Sequence, residues 1–255
     1  MTAAQVGNSA RLAAQPVAAG GTPTQTWLDA GLRLPELDLR GCPEVVVVGA
    51  HPDDETLGFG ATAVLLAESG IRVQIVSASD GGAAHPDVSL LQRFQLERVR
   101  RSELHCAAGV MGVHAPICLG LPDGQIAEHE ERLADLVTEV LATKPPGTWC
   151  AATWRGDGHP DHEAVGRAAA VAAERTGAML LEYPVWMWHW AKPDDDAVPW
   201  HRAYAAPLTR RAVECKKLAA QSFRSQLIAP APGVDPVLPP HVVGRLMAVG
   251  EVVFR

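Results

Sequence analysis

Glu44-Val45-Val46-Val47-Val48-Gly49-Ala50-His51-Pro52-Asp53-Asp54-Glu55 runs a β-branched apolar segment straight into a cluster of imidazole and carboxylate groups. The segment 44–49 shows no polar alternation, which predicts a strand covered on both faces. Residues 56–69 place Leu57, Ala61, Val64, Leu65 and Ala67 at helical spacing, and Gly70 supplies a helix stop. A strand that delivers chemistry-bearing residues into a helix is the first half of a βαβ unit, and the rest of the chain repeats it.

Ile71-Arg72-Val73-Gln74-Ile75-Val76-Ser77 reads as the second strand, followed by the loop Ser79-Asp80-Gly81-Gly82-Ala83-Ala84-His85-Pro86 and a helix over 89–108 closed by Gly109. Pro116-Ile117-Cys118-Leu119 predicts a strand, Leu121-Pro122-Asp123-Gly124 a turn, and 129–143 a helix. Thr148-Trp149-Cys150-Ala151-Ala152 is a strand leading into Gly158-His159-Pro160-Asp161-His162; a helix over 163–176 and a strand over 178–182 follow. This alternation predicts an α/β fold: a Rossmann-like, doubly wound, mostly parallel sheet with helices on both faces. Residues 183–255 are less regular, with a helix over 209–226, Pro-rich loops and a last edge strand at Val252-Val253-Phe254. Residues 1–40 read as a poorly ordered N-terminal arm, docked if at all through Trp27, Leu28 and Leu32, ahead of a single domain over 41–255.

The 255 residues are 47% hydrophobic and 20% charged with a net charge of −7, and no Lys/Arg-rich block is present, which argues against nucleic-acid binding. Apolar stretches fall short of the roughly 20 residues of a membrane span. Val6-Gly7-Asn8-Ser9 interrupts any signal-peptide core, and the five cysteines, odd in number and without Cys-x-x-Cys, suit reduced thiols in a cytoplasmic protein. Self-association into a homo-oligomer stays open.

Both motifs follow strands, and in an open α/β sheet strand-end loops converge at the switch point in strand order. His51, Asp54 and His162 supply two imidazole nitrogens and a carboxylate, a donor set suited to a catalytic divalent metal with open positions, Zn2+ first and Fe2+ as another option. Asp53, beside Asp54 but aimed elsewhere, is placed to act as a general base. His159 lies one helical turn from His162, and Asp161 is placed to orient it and favour its charged form. A structural metal site would be expected to use cysteine, and none is near either motif. A dinucleotide site is excluded locally, because Gly49-Ala50-His51-Pro52 lacks Gly-x-Gly-x-x-Gly.

The two motifs together resemble the PIG-L/LmbE-like family of zinc-dependent N-deacetylases, over residues 44–228. That resemblance implies removal of an N-acetyl group from an N-acetylated amino sugar. It implies zinc on His51, Asp54 and His162, Asp53 as general base and His159 assisting the transition state. It also implies substrate contacts from Arg100, within Arg100-Arg101-Ser102-Glu103, and from Asp123. Against these stand a surface ion pair for Arg100, with Glu97 or Glu103, and a turn-shaping role for Asp123. Trp186 and Trp188, in Tyr183-Pro184-Val185-Trp186-Met187-Trp188-His189-Trp190, would form a sugar-stacking wall or lid; a core plug or dimer contact is the alternative. His189 is expected to be packed among the tryptophans rather than to reach the metal. Two other functions remain in view: a metal-dependent ester or phosphoester hydrolase, and a non-catalytic carbohydrate-binding protein on the same fold.

Overall fold

A computed structural model describes residues 7–85 and 89–255. Pro86, at the end of the predicted loop, lies outside the described residues. Seven strands among the described residues form one sheet: β1 (Glu44–Gly49), β2 (Arg72–Ser79), β3 (Ile117–Leu121), β4 (Trp149–Thr153), β5 (Met179–Tyr183), β6 (Ala203–Ala205) and β7 (Val252–Phe254), in the order β3-β2-β1-β4-β5-β7-β6. The first five are parallel, and β7 pairs antiparallel with both β5 and β6. The helices are α1 (Asn8–Ala13), α2 (Thr24–Asp29), α3 (Asp54–Glu68), α4 (Leu90–Met111), α5 (Glu130–Ala142), α6 (Pro160–Thr176), α7 (Met187–Trp190), α8 (Arg210–Ala220), α9 (Arg224–Leu227) and α10 (Pro240–Ala248).

The four valines of β1 explain why the run lacks alternation. Val45 and Val47 pack with Leu57, Phe59 and Tyr183 on one face, and Val46 and Val48 pack with Val137, Ala164 and Ala168 on the other. All four are essentially unexposed, each burial being worth about 1.5–3 kcal/mol. The chain adds β2 and β3 on one side of β1, then returns to add β4 on the other, so the switch point lies between β1 and β4. Val48 is in register with Ala152, which brings the two motif turns to the same rim. Gly166 lets α6 settle there, since a Cβ on it would lie 2.6 Å from Thr153 O and Arg155 N.

Several boundaries differ from the sequence reading for identifiable reasons. α4 runs past Gly109 because Met111 is still buried, and it ends at Gly112 in the left-handed conformation. The helix read over 209–226 is broken at residues 221–223, where Phe223 turns inward to full burial. β7 is interior, not an edge; Val253 and Phe254 are fully buried because β6 covers it. The described part of the N-terminal segment carries α1 and α2, with Trp27 buried and a bridge from Glu36 to Ala205. Among the described residues no helix is long and apolar enough to cross a membrane.

Candidate active site

The turn leaving β1 closes on itself. Asp54 Oδ2 accepts from the backbone N–H of Ala50 at 3.0 Å and of His51 at 2.8 Å, leaving Oδ1 for another partner. Asp53 adopts φ 138°, the one non-glycine residue with positive φ among the described residues. Such a conformation costs about 1–3 kcal/mol and persists only where its surroundings over-determine it. Here Asp53 O accepts from Leu57 N at 2.8 Å, and Asp53 Oδ2 accepts from Arg100 Nη2 at 3.2 Å. The strained turn separates two adjacent carboxylates: Asp54 faces His162 and Asp53 faces Arg100.

The turn leaving β4 is organised by Asp157, whose side chain is wholly buried. Its Oδ1 accepts from Val185 N (2.8 Å) and Met187 N (2.9 Å), and its Oδ2 from Trp186 N (2.9 Å) and His162 Nδ1 (2.8 Å). His159 caps α6, its Nδ1 accepting from Asp161 N at 3.2 Å, with Pro160 in the first turn where no N–H is needed. Thr153 Oγ1 donates to His162 O at 3.0 Å and ties the helix to the strand end.

These turns bring His51, Asp54 and His162 together, with one potential ligand atom from each within 4.8 Å of the others; His51, His159 and Asp161 form a second group of the same kind. His162 offers the clearest donor to a cation. Asp157 holds its Nδ1, so a neutral ring exposes a lone pair at Nε2. That atom is buried with no hydrogen-bond partner among the described residues, although Asp54 Oδ1 lies 3.2 Å away. An orphaned imidazole nitrogen beside a free carboxylate oxygen fits a divalent metal.

The electrostatics agree. Burial opposes charge on His162, but Asp54 and Asp157 outweigh it and lift its pKa to about 9. Burial likewise opposes charge on His51, and Asp123, Asp161 and Asp54 raise it well above its usual value. The negative field that holds a proton on each ring would equally hold a cation. Burial pushes Asp53 up to about 7 against the pull of Arg100, with Asp54 adding to the rise. Burial, then repulsion from His162 and His51, presses His159 down to about 3, so its ring is neutral. Because Nδ1 accepts from the backbone, the proton of that neutral ring sits on Nε2.

A cavity of about 240 Å³ opens over this cluster, lined by His51, Asp53, Asp54, Arg100, Asp123, His159 and Trp186, with Val185, Gln226, Val237 and Leu238 among its other walls. Asp123 receives Ala83 N at 2.7 Å and stands 3.1 Å from His51 Nε2. Arg100 is 3% exposed, and its guanidinium is committed to Gly81 O, Pro52 O and Asp53, so it braces the first motif while facing the cavity. It pairs with neither Glu97 nor Glu103.

Two expectations need correction. Asp161 does not orient His159 through its carboxylate, which instead accepts from Gly124 N (2.7 Å) and Ile126 N (3.1 Å) and lies 3.2 Å from His51 Nε2. The free amides of the 124–126 turn capture it, and burial with the neighbouring His162 and His51 rings leaves His159 neutral. Trp188 is not in the cavity: it is 3% exposed, edge-on to Trp27 at 4.9 Å. Residues 187–190 form a helical turn, so Trp186 and Trp188 do not share a face as they would on a strand. His189 is packed as expected, its Nε2 at 2.9 Å from Gln15 O. Asp157 was missed by the sequence reading, although it directly precedes the second motif. The walls from Val237 and Leu238 had no comparable signal.

Comparison with known proteins follows the same lines. The family model described as "PIG-L: GlcNAc-PI de-N-acetylase" matches residues 46–173. The chain is 31% identical over 158 residues to a 1D-myo-inositol 2-acetamido-2-deoxy-alpha-D-glucopyranoside deacetylase of Mycobacterium sp. (strain KMS), covering 52% of this chain and 51% of that protein. It is 33% identical over 135 residues to a probable N-acetyl-alpha-D-glucosaminyl L-malate deacetylase 2 of Bacillus subtilis, covering 51% of this chain and 61% of that protein. The matched region thus spans about half the length of the mycobacterial relative. Among solved structures, the N,N'-diacetylchitobiose deacetylase from Pyrococcus horikoshii shares the fold with a TM-score of 0.61 at 22% identity, over 78% of this chain and 76% of that one.

Proposed function

The chain belongs to the PIG-L (GlcNAc-PI de-N-acetylase) family, and from that premise we propose that it is a metal-dependent hydrolase that removes the N-acetyl group from an N-acetylated amino sugar. His51, Asp54 and His162 would hold the metal, taken to be Zn2+. The observation that carries this reading is the buried, unpartnered His162 Nε2 beside Asp54 Oδ1, next to the strained Asp53. The named relatives act on N-acetylglucosamine-type compounds, which supports the substrate class. Five free thiols support a cytoplasmic setting.

When bound, the metal supplies a Lewis acid that polarises the acyl oxygen and lowers the pKa of water. Asp53 faces the cavity from a fixed backbone and takes the proton as water attacks the acyl carbon. The same carboxyl then returns a proton to the departing amine. His159, neutral with its proton on Nε2, donates a hydrogen bond to the acyl oxygen as negative charge develops there. Arg100 holds Asp53 in place, and Asp123 offers a carboxylate to sugar hydroxyls. Trp186 closes one wall.

Acetate release from a panel of N-acetylglucosaminides tests the proposal. Asp53→Asn should bind metal like the wild type yet lose about 10²- to 10⁴-fold in kcat. Near wild-type turnover by that variant would refute the assignment of the base.

A further inference from the structure

Beyond the wall formed by Asp123, the rim does not fall away to a plain polar surface. Ala83 and Asp123 line the active-site cavity on one side and a second cleft, also about 240 Å³, on the other. The hydrogen bond from Ala83 N to Asp123 Oδ2 joins the two rim loops into a low ridge between the spaces. The second cleft is also lined by the N-terminal part of α4, through Leu90 and Phe94, and by Pro122.

Leu90 and Phe94 are 84% and 56% exposed. They stand four residues apart, so they share one helix face, and that face lines the second cleft. Neither is needed to hold the helix. The start of α4 is secured locally by a capping box between Ser89 and Gln92, while its buried apolar residues begin further along, at Leu104. Two large apolar side chains are thus presented to solvent on a helix that folds without them, at the mouth of a polar site. Contiguous exposed apolar surface in such a position marks a ligand or partner contact. Arg93 and Glu97 flank the pair and give the cleft a polar margin.

The geometry points to a bipartite site in which this cleft takes an apolar aglycone, an alkyl or aryl group attached to the N-acetyl amino sugar whose acyl group reacts in the first cavity. The inference rests on the deacetylase reading and deepens it: the sugar lies against Asp123, and its substituent crosses the Ala83–Asp123 ridge onto Leu90 and Phe94. The two spaces share Ala83 and Asp123 as walls, and that adjacency is what favours a part of the same substrate over a separate partner.

The test compares methyl and octyl N-acetyl-β-glucosaminide, the latter below its micellar concentration, with zinc-loaded wild type and a Leu90→Ser/Phe94→Ser variant. The octyl glycoside is expected to exceed the methyl glycoside by about tenfold or more in kcat/KM for the wild type, and the ratio should fall below about threefold in the variant. Because both side chains are exposed, the variant should retain the wild-type denaturation midpoint. Calorimetric titration with the deacetylated octyl and methyl glucosaminides provides a second readout independent of turnover. If neither glycoside is hydrolysed but the octyl amine binds more tightly through Leu90 and Phe94, the deacetylase reading fails while the apolar cleft stands. Equal binding and turnover of the two glycosides, or an octyl preference that survives in the variant, overturns the cleft. So does a variant that sediments as a smaller species with its octyl preference intact, which would make the patch an interface between copies of this chain.

Discussion

Replacing Asp157 by Asn should weaken metal binding from a position that touches no metal. The wild-type carboxylate accepts four hydrogen bonds, two at each oxygen, in a fully buried setting. An amide can keep the pair at Oδ1, from Val185 N and Met187 N. Its NH2 group then faces two donors, Trp186 N–H and His162 Nδ1–H. The ring can escape that conflict only by giving up the Nδ1 proton and holding one on Nε2, which turns Nδ1 into an acceptor. The lone pair facing Asp54 is then lost. Trp186 N–H has no such escape. Two bonds to a charged group are lost, each worth about 1.5–3 kcal/mol, and one is partly regained through the tautomer switch, so the folded state should lose about 3 kcal/mol. Metal affinity should fall by about 10- to 100-fold, as for other partners that orient a metal-binding histidine. Urea unfolding of metal-free protein measures the first effect, and Zn2+ competition against a fluorescent chelator measures the second. A variant that binds Zn2+ within about twofold of the wild type would show that Asp157 does not set the His162 tautomer.

Two further substitutions separate packing from site. Trp188→Ala should cost about 3–5 kcal/mol in denaturant unfolding, by emptying the contact with Trp27, and should leave KM unchanged; Trp186→Ala should do the reverse, raising KM with little loss of stability. Lys216 and Glu251 form a buried pair at 2.9 Å, and Glu251 also accepts from Ala61 N, Thr62 N and Thr62 Oγ1. Lys216→Met should therefore lower unfolding stability by about 3 kcal/mol, the low end for breaking a buried pair, because three donors still satisfy the carboxylate. A loss below about 1 kcal/mol would mean that these three bonds alone hold it.

Local pattern served well where one element carries its own instructions. The valines of β1, the helix-period residues of α3 and the strand–helix alternation up to β5 were all readable, because each reports burial on a repeating face. It served poorly where a side chain answers to a distant partner. Asp161 has the right neighbours in sequence to orient His159, yet the amides of Gly124 and Ile126 reach it first. Trp188 reads as equivalent to Trp186 in sequence because the two alternate just beyond a strand. One helical turn at residues 187–190, held by the carboxylate of Asp157, sends the two rings to different places.

Composition, order of elements and the two motifs were enough to establish an α/β sheet with its chemistry at the ends of β1 and β4. That much follows from periodicity and from the rule that strand-end loops meet at a switch point. Which atoms of those motifs are free, and which are already committed, was decided only in three dimensions. Hydrogen-bond partners contributed by Asp157, Arg100 and the 124–126 turn set the tautomer of His162, the strained pose of Asp53 and the direction of Asp161, while burial beside two other rings keeps His159 neutral. Those partners are chosen by proximity in the folded chain, and no spacing along the sequence encodes it.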